Sequence, residues 1–356
     1  MIISSRLLKK DTNIMKGIGL IMIMLHNYFH IIPPISGQNE FTFHEDAFYN
    51  FLRVIATNPF DFIRQVFSYL GHYGVTIFVF VSSYGLYSSY KEKRISYAGF
   101  LKKRILKLYP TLLIVVLLLF IFISIYRGAF PEAGITKSLL LKLTLLSNFI
   151  PGEALEVDGP LWFFSMIVQL YAVFPLLKFI VKKYGENSML IVAFLMVITS
   201  LLLNTFLVKN DLSAYFLFIG QMPVFCLGIY FAAHPVIKIR NEILILAVAI
   251  FLFANANLYA WHFSFLAFAI IILSIFILVQ SYVKLSTKIR SFLAYTGGIS
   301  LSLFAVHGMM RFPFEALAEK YNEPLITSML AVPFIICAYA GAWFIRLVEK
   351  NSTKYF

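Results

Sequence analysis

Residues 91–126 read KEKRISYAGFLKKRILKLYPTLLIVVLLLFIFISIY, and the fold class turns on how that stretch divides. Its first half carries Lys91, Lys93, Arg94, Lys102, Lys103, Arg104 and Lys107 against the single acid Glu92. From Pro110 to Tyr126 no charged residue interrupts the apolar run. Lys and Arg are retained on the cytoplasmic side of membranes, so a basic segment that passes directly into uncharged residues reads as a chain entering a bilayer from inside. Proline suits the first turn of a helix, which places the start of this span at Pro110.

The same division repeats along the chain. Of its 356 residues 60% are hydrophobic and only 13% charged, about half the charge of an ordinary soluble domain. Apolar runs long enough to cross a hydrocarbon core, roughly 20 residues, are predicted over 14–33, 75–90, 110–126, 161–180, 190–207, 214–233, 243–258, 263–282, 294–310 and 326–345. Arg6, Lys9 and Lys10 precede the first; Lys182 and Lys183, Lys238 and Arg240, Lys284, Lys288 and Arg290, then Arg346 and Lys350 fall in every second loop. The intervening loops are neutral or acidic, with Glu153, Glu156 and Asp158 in one and Glu315, Glu319 and Glu323 in another. An all-α polytopic bundle of about ten spans, both termini cytoplasmic and 1–356 forming one domain, satisfies hydropathy and charge together. A helix lying on the membrane surface is expected within 48–67. The first apolar stretch lacks a small-residue cleavage site and reads as a retained anchor.

The net charge of +13 is accounted for by positive-inside loops meeting anionic lipid, so no nucleic acid is expected as a partner. Cys226 and Cys337 lie in apolar runs and do not read as a disulfide.

Function is then sought in polar residues at membrane depth, which are costly and rarely incidental. His26 lies roughly 15 Å of helix beyond Lys16, on the outward side of the midplane. Its imidazole suits proton removal from a hydroxyl near neutral pH, an interhelical hydrogen bond, or a metal shared with His30 one turn on. No acid or cysteine in the same span completes the metal reading. Lys103, Arg104 and Lys107 stand together at the inner rim, where they suit either a donor's phosphates or simple topology and lipid contact. Trp162 reads as an interface anchor after Gly159-Pro160, and Gln169 as glue between helices. His307 with Arg311 one turn later fits an acceptor site or an interfacial anchor equally, and His72 reads as interfacial.

Several of these segments occur in the order and topology of a known family. They are Lys16-Gly-Ile-Gly-Leu leading to His26, Gly74 to Leu86, the basic run Phe100 to Pro110, Gly159-Pro-Leu-Trp-Phe-Phe-Ser165 with Gln169 and Tyr171, Met222 to Gly228, and Ser302 to His307. Together they resemble the acyltransferase-3 family of integral membrane acyltransferases, many of which O-acetylate surface polysaccharides. Two departures stand out: Lys16 replaces the usual arginine, and Ile167 and Val168 stand where many members carry glutamate. The resemblance implies an O-acetyltransferase of the cytoplasmic membrane, with acetyl-CoA as acyl donor and no permanently bound cofactor or metal. His26 would be catalytic. Lys16, Lys103, Arg104, Lys107 and Tyr109 would hold the CoA. Asn27, His30, Trp162, Gln169, His307 and Arg311 would line the acceptor site, for a glycan or lipid-linked sugar. A transporter or flippase of a small or lipid-linked substrate shares the topology, but few intramembrane acids are present for ion coupling. A sensor that only binds lipid-linked sugar is the other rival.

Overall fold

The computed structural model describes residues 2–5, 7–32, 39–234, 236–283 and 285–352. The expected end of the first span at residue 33 and the loop cations Arg6 and Lys284 lie outside the described residues. Helices dominate. First come α1 (Lys9–Phe29), α2 (Glu45–Thr57), α3 (Phe62–Leu70) and α4 (Gly74–Tyr90), then the long α5 (Tyr97–Arg127) and the short α6 (Ala133–Thr144). They are followed by α7 (Trp162–Tyr184), α8 (Ser188–Lys209), α9 (Phe218–Ala233), α10 (Asn241–Asn255), α11 (Leu258–Trp261) and α12 (Ser264–Tyr282). The order closes with α13 (Thr287–Gly298), α14 (Ser300–Tyr321) and α15 (Pro324–Ser352). Two short strands, β1 (Ile2–Ser5) and β2 (Ile237–Arg240), pair antiparallel with Ile2 opposite Arg240. Nothing in the hydropathy pattern announced that ribbon.

Six stretches among the described residues are long and apolar enough to cross a membrane, seven if α13 and α14, which meet at 81°, count as one span. The three other expected crossings coincide with α1, whose polar residues dilute its hydropathy, and with the short apolar α9 and α10. Helix α8 exposes Ile191, Phe194, Leu195, Leu202 and Phe206, a surface that only lipid tails suit. This is an all-α polytopic fold and a multi-pass membrane protein.

Several boundaries differ from expectation for identifiable reasons. Pro110 does not start the third span: α5 runs unbroken from Tyr97 with proline in its interior, so the basic run is helical and continuous with the apolar one. Proline removes only one intrahelical hydrogen bond, and the long flanking segments outweigh it. The second span begins well before Val75, because Pro59–Tyr90 forms one near-continuous helical stretch. That stretch carries His72 inside, 1% exposed, rather than at an interface. Only Ala47 of α2 is buried, leaving α2 as the exposed amphipathic segment of the 40–60 region.

The chain packs as two compact units. The first comprises Met1–Arg94, Phe174–Leu203 and Ile219–Ser300; the second comprises Ile95–Val173, Asn204–Phe218 and Leu301–Phe356. In the first, α1 is the central helix, packed on α3, α4 and α13. Glycine permits that closeness: a methyl group on Gly17 would lie 2.2 Å from the Leu293 carbonyl oxygen, and one on Gly297 would lie 1.9 Å from that of Asn13. Small residues at helix crossings are how membrane bundles gain van der Waals contact without a hydrophobic driving force. In the second unit, the Thr111 hydroxyl of α5 donates to Glu349 of α15, and Phe163 of α7 packs on Phe304 of α14 at 4.8 Å.

Candidate active site

His26 sits in the last turn of α1, 4% exposed. The residue that brings the chain against it is Gly71, at the junction of α3 and α4. A methyl there would fall 2.6 Å from His26 Cβ and 2.7 Å from the Met22 carbonyl oxygen, so no other residue allows this approach. The close packing places two carbonyls on the imidazole: Nδ1 lies 3.1 Å from Ser68 O and 3.3 Å from Phe67 O. A carbonyl oxygen only accepts, so Nδ1 carries the proton and donates it. In a neutral ring Nε2 then holds the lone pair. Backbone therefore does for this histidine what a carboxylate does elsewhere, orienting the ring and fixing its tautomer.

Two more imidazoles adjoin it. The His30 ring stacks on His26 at 4.8 Å, and the His72 ring meets it edge-on at 5.6 Å. Behind His72, Tyr73 stacks on Phe268 at 4.6 Å, and the Tyr69 and Tyr73 hydroxyls donate to Asn255 Oδ1 at 2.7 and 3.3 Å. Among the described residues, His, Cys, Asp and Glu side chains nowhere gather in threes as metal ligands would. Asn27 on α1 and His30 at its C-terminal cap are both half-buried. Lys16 belongs to the same unit and is half-buried on α1.

The second unit holds the other candidates. On α5 the Arg104 guanidinium lies over the Phe100 and Tyr171 rings at 5.4 and 5.6 Å, while Lys103 and Lys107 are exposed and Tyr109 half-buried. Helix α5 thus carries a guanidinium stacked on two rings with two exposed ammonium groups on neighbouring positions, a planar fork beside point charges.

On α14 His307 is fully buried, and its Nδ1 donates to Phe304 O at 2.6 Å. Arg311 lies with its Nε 3.3 Å from Glu315. Sequence reasoning missed the residue that α14 packs around. Asp158 is 1% exposed, and neither carboxylate oxygen has a hydrogen-bond partner among the described residues. Its Oδ1 lies so close to Gly308 that a methyl there would approach within 1.9 Å. Burial pushes the Asp158 carboxyl up to about 6, against the opposing pull of Arg311 and Lys142.

The loop before Asp158 is pinned to deliver it. The buried Lys142 of α6 donates to the carbonyls of Glu153 and Ala154, and Glu153 takes Lys137 at 2.8 Å and Ser138 at 2.7 Å. Val157 then turns through φ 66°, a left-handed conformation that a β-branched residue adopts only under constraint. The signal available in the sequence is an acid directly before Gly-Pro at a span's start, the place of a helix cap, yet its side chain makes no cap hydrogen bond.

Trp162 and Gln169 make contacts within their own unit. Asn148 donates to the Trp162 carbonyl at 2.9 Å, and the indole lies against Phe163 and Phe216. Gln169 accepts from the Phe218 backbone at 3.0 Å while its amide nitrogen faces Ser165 at 3.5 Å. In each unit the structure gathers its own set: His26 and His30 with His72 in the first, and His307 and Arg311 with Asp158 in the second.

A family model described as an acyltransferase domain matches residues 10–347, nearly the whole chain. The chain belongs to the acyltransferase-3 family. No curated protein and no solved structure gives a match to it. Family membership makes this a membrane acyltransferase, and the order of motifs from Lys16 to His307 is that of an acyltransferase-3 domain. In this acyltransferase the first-helix histidine is held by main-chain carbonyls from the α3–α4 junction, an arrangement that helix-by-helix motif reading could not reveal.

Proposed function

We propose that the protein moves an acetyl group from cytoplasmic acetyl-CoA to a hydroxyl of an envelope or surface polysaccharide, or of its lipid-linked precursor, and does so in the cytoplasmic membrane. His26 is the general base. The observation that carries this reading is the Nδ1 hydrogen bond to Ser68 and Phe67, which leaves Nε2 as the basic atom of a buried ring. The acceptor hydroxyl loses its proton to Nε2 as its oxygen attacks the thioester carbon. The tetrahedral intermediate then expels the CoA thiolate, which takes that proton, yielding ester and free CoA thiol. Positioned general bases of this kind contribute typically 10²–10⁴-fold.

Lys103, Arg104 and Lys107, with Tyr109, all on α5, meet the donor's anionic end. Arg104 supplies the planar fork suited to phosphate, held flat by Phe100 and Tyr171. At the end of α1, Asn27 and His30 neighbour the base in sequence; within the other unit, His307 and Arg311 with Asp158 form a separate polar set suited to an acceptor's hydroxyls. Trp162 and Gln169 belong to the framework. Mass spectrometry of surface glycans tests the acceptor: a strain lacking the chain loses an acetyl mass, restored by the wild-type protein and not by His26→Ala. Unchanged acetylation refutes the glycan reading, and purified chain that leaves labelled acetyl-CoA intact refutes the donor.

A further inference from the structure

Beside the base lies a set of buried polar atoms that the reading above does not use. Gln65 and Ser68 on α3 and His72 just beyond it follow one another at helical spacing of three and four residues, so they share one face. They are 2%, 0% and 1% exposed. Gln65 Nε2 and Ser68 Oγ have no hydrogen-bond partner among the described residues. Buried polar groups are ordinarily satisfied, so two orphaned donors on one face call for an explanation.

Their place supplies one. This segment is the one that touches His26: Ser68 lends its carbonyl to Nδ1, and the His72 ring lies 5.6 Å away. Covalent geometry keeps the Ser68 hydroxyl within a few ångströms, on the order of one residue's reach, of the carbonyl that the imidazole bonds. An amide nitrogen can only donate, and a serine hydroxyl has one proton to give. Two donors without acceptors match an atom that only accepts, and the reacting thioester brings such an atom as its carbonyl oxygen.

We propose that Gln65 Nε2 and Ser68 Oγ form the oxyanion site of this acyltransferase, donating to the thioester carbonyl oxygen of the acyl-CoA. As the acceptor oxygen bonds to the carbonyl carbon, the C=O π pair moves onto that oxygen and the two donors stabilise it. When the C–S bond breaks, the pair returns and the thiolate leaves with the proton held by His26. Donors of this kind gain strength as charge develops, so they act on kcat rather than on donor affinity. The inference rests on His26 as base and acetyl-CoA as donor.

The test uses the full chain in lipid nanodiscs with labelled acetyl-CoA and the glycan acceptor of the producing strain. Ser68→Ala and Gln65→Met should each lower kcat by about 10²–10³, with KM for acetyl-CoA within about threefold. Ser68→Thr, which keeps the hydroxyl, should stay within about tenfold of wild type. The pH midpoint of kcat/KM should not move, which separates a lost donor from a displaced His26. Gln65→Glu replaces the N–H by oxygen at equal volume and serves if Gln65→Met fails to fold. Wild-type kcat in Ser68→Ala and Gln65→Met, or a loss confined to KM, overturns the assignment. A wild-type protein that does not turn over acetyl-CoA refutes the donor reading and takes this proposal with it.

Discussion

Replacing Asp158 by Asn should make the protein more stable at neutral pH and less active. An ordinary aspartate titrates near 3.9; here burial pushes the group up to about 6 even with Arg311 and Lys142 pulling it down. The folded chain therefore binds more protons than the unfolded chain between about pH 4 and 6, and stability falls as pH rises through that window. Above it the loss is complete. Two pH units at 1.36 kcal/mol each amount to about 3 kcal/mol of instability held at one side chain, and the attraction of the two cations is already inside that net value. Asn has the same shape and no charge. Chemical unfolding of the purified wild type and of Asp158→Asn at pH 4, 5, 6 and 7.5 should show curves that coincide at pH 4 and separate by about 3 kcal/mol at pH 7.5. Acyl transfer in the stabilised variant should fall. A variant less stable than wild type at pH 7.5, or the same pH dependence in both, refutes the reasoning that a costly charge is kept there for function.

Three further outcomes follow from the geometry. Gly71→Ala should insert and fold but lose about 10- to 100-fold in transfer rate, since its methyl meets His26 Cβ at 2.6 Å and a misplacement near 1 Å costs about 10²; Gly85→Ala, with open space around it, should be neutral in the same radiometric assay. Arg104→Lys loses the planar group stacked on Phe100 and Tyr171 and should raise KM for acetyl-CoA severalfold at unchanged kcat, with an unchanged salt dependence since the charge is kept, measured by steady-state titration. Lys142→Met leaves the Glu153 and Ala154 carbonyls without their donor and should cost about 1–3 kcal/mol in chemical unfolding.

The fold was largely legible because hydropathy and charge report on the solvent each segment meets. Helices stand in each of the ten expected stretches. Among the described residues, however, only six or seven are long and apolar enough to cross a membrane, and the expected span 294–310 is broken by the 81° bend between α13 and α14. Boundaries were not legible where one signal hid another. Pro110 was taken as a start, yet α5 runs through it, and the polar residues of 59–74 masked a helical stretch continuous with α4. Buried polar positions were readable where a costly residue interrupts an apolar run, as His26 and His307 do. They were not readable where partnership crosses elements. Neither the Ser68 carbonyl on His26 nor the Gly308 contact of Asp158 leaves a pattern in sequence, because backbone carbonyls have no residue signature and glycine's role there is to be absent. His72 was misplaced for the same reason: tertiary packing of α3 on α1, not local hydropathy, buries it.

The central claim is that a single nitrogen of His26 takes the acceptor's proton while the other is tied to main chain. His26→Asn addresses it most directly, since the asparagine amide can keep a donor toward Ser68 but offers no basic atom in place of Nε2. Transfer of labelled acetyl from acetyl-CoA by the purified, folded variant should fall by about 10²–10⁴, with unfolding behaviour close to wild type. Transfer at the wild-type rate by His26→Asn would contradict the account.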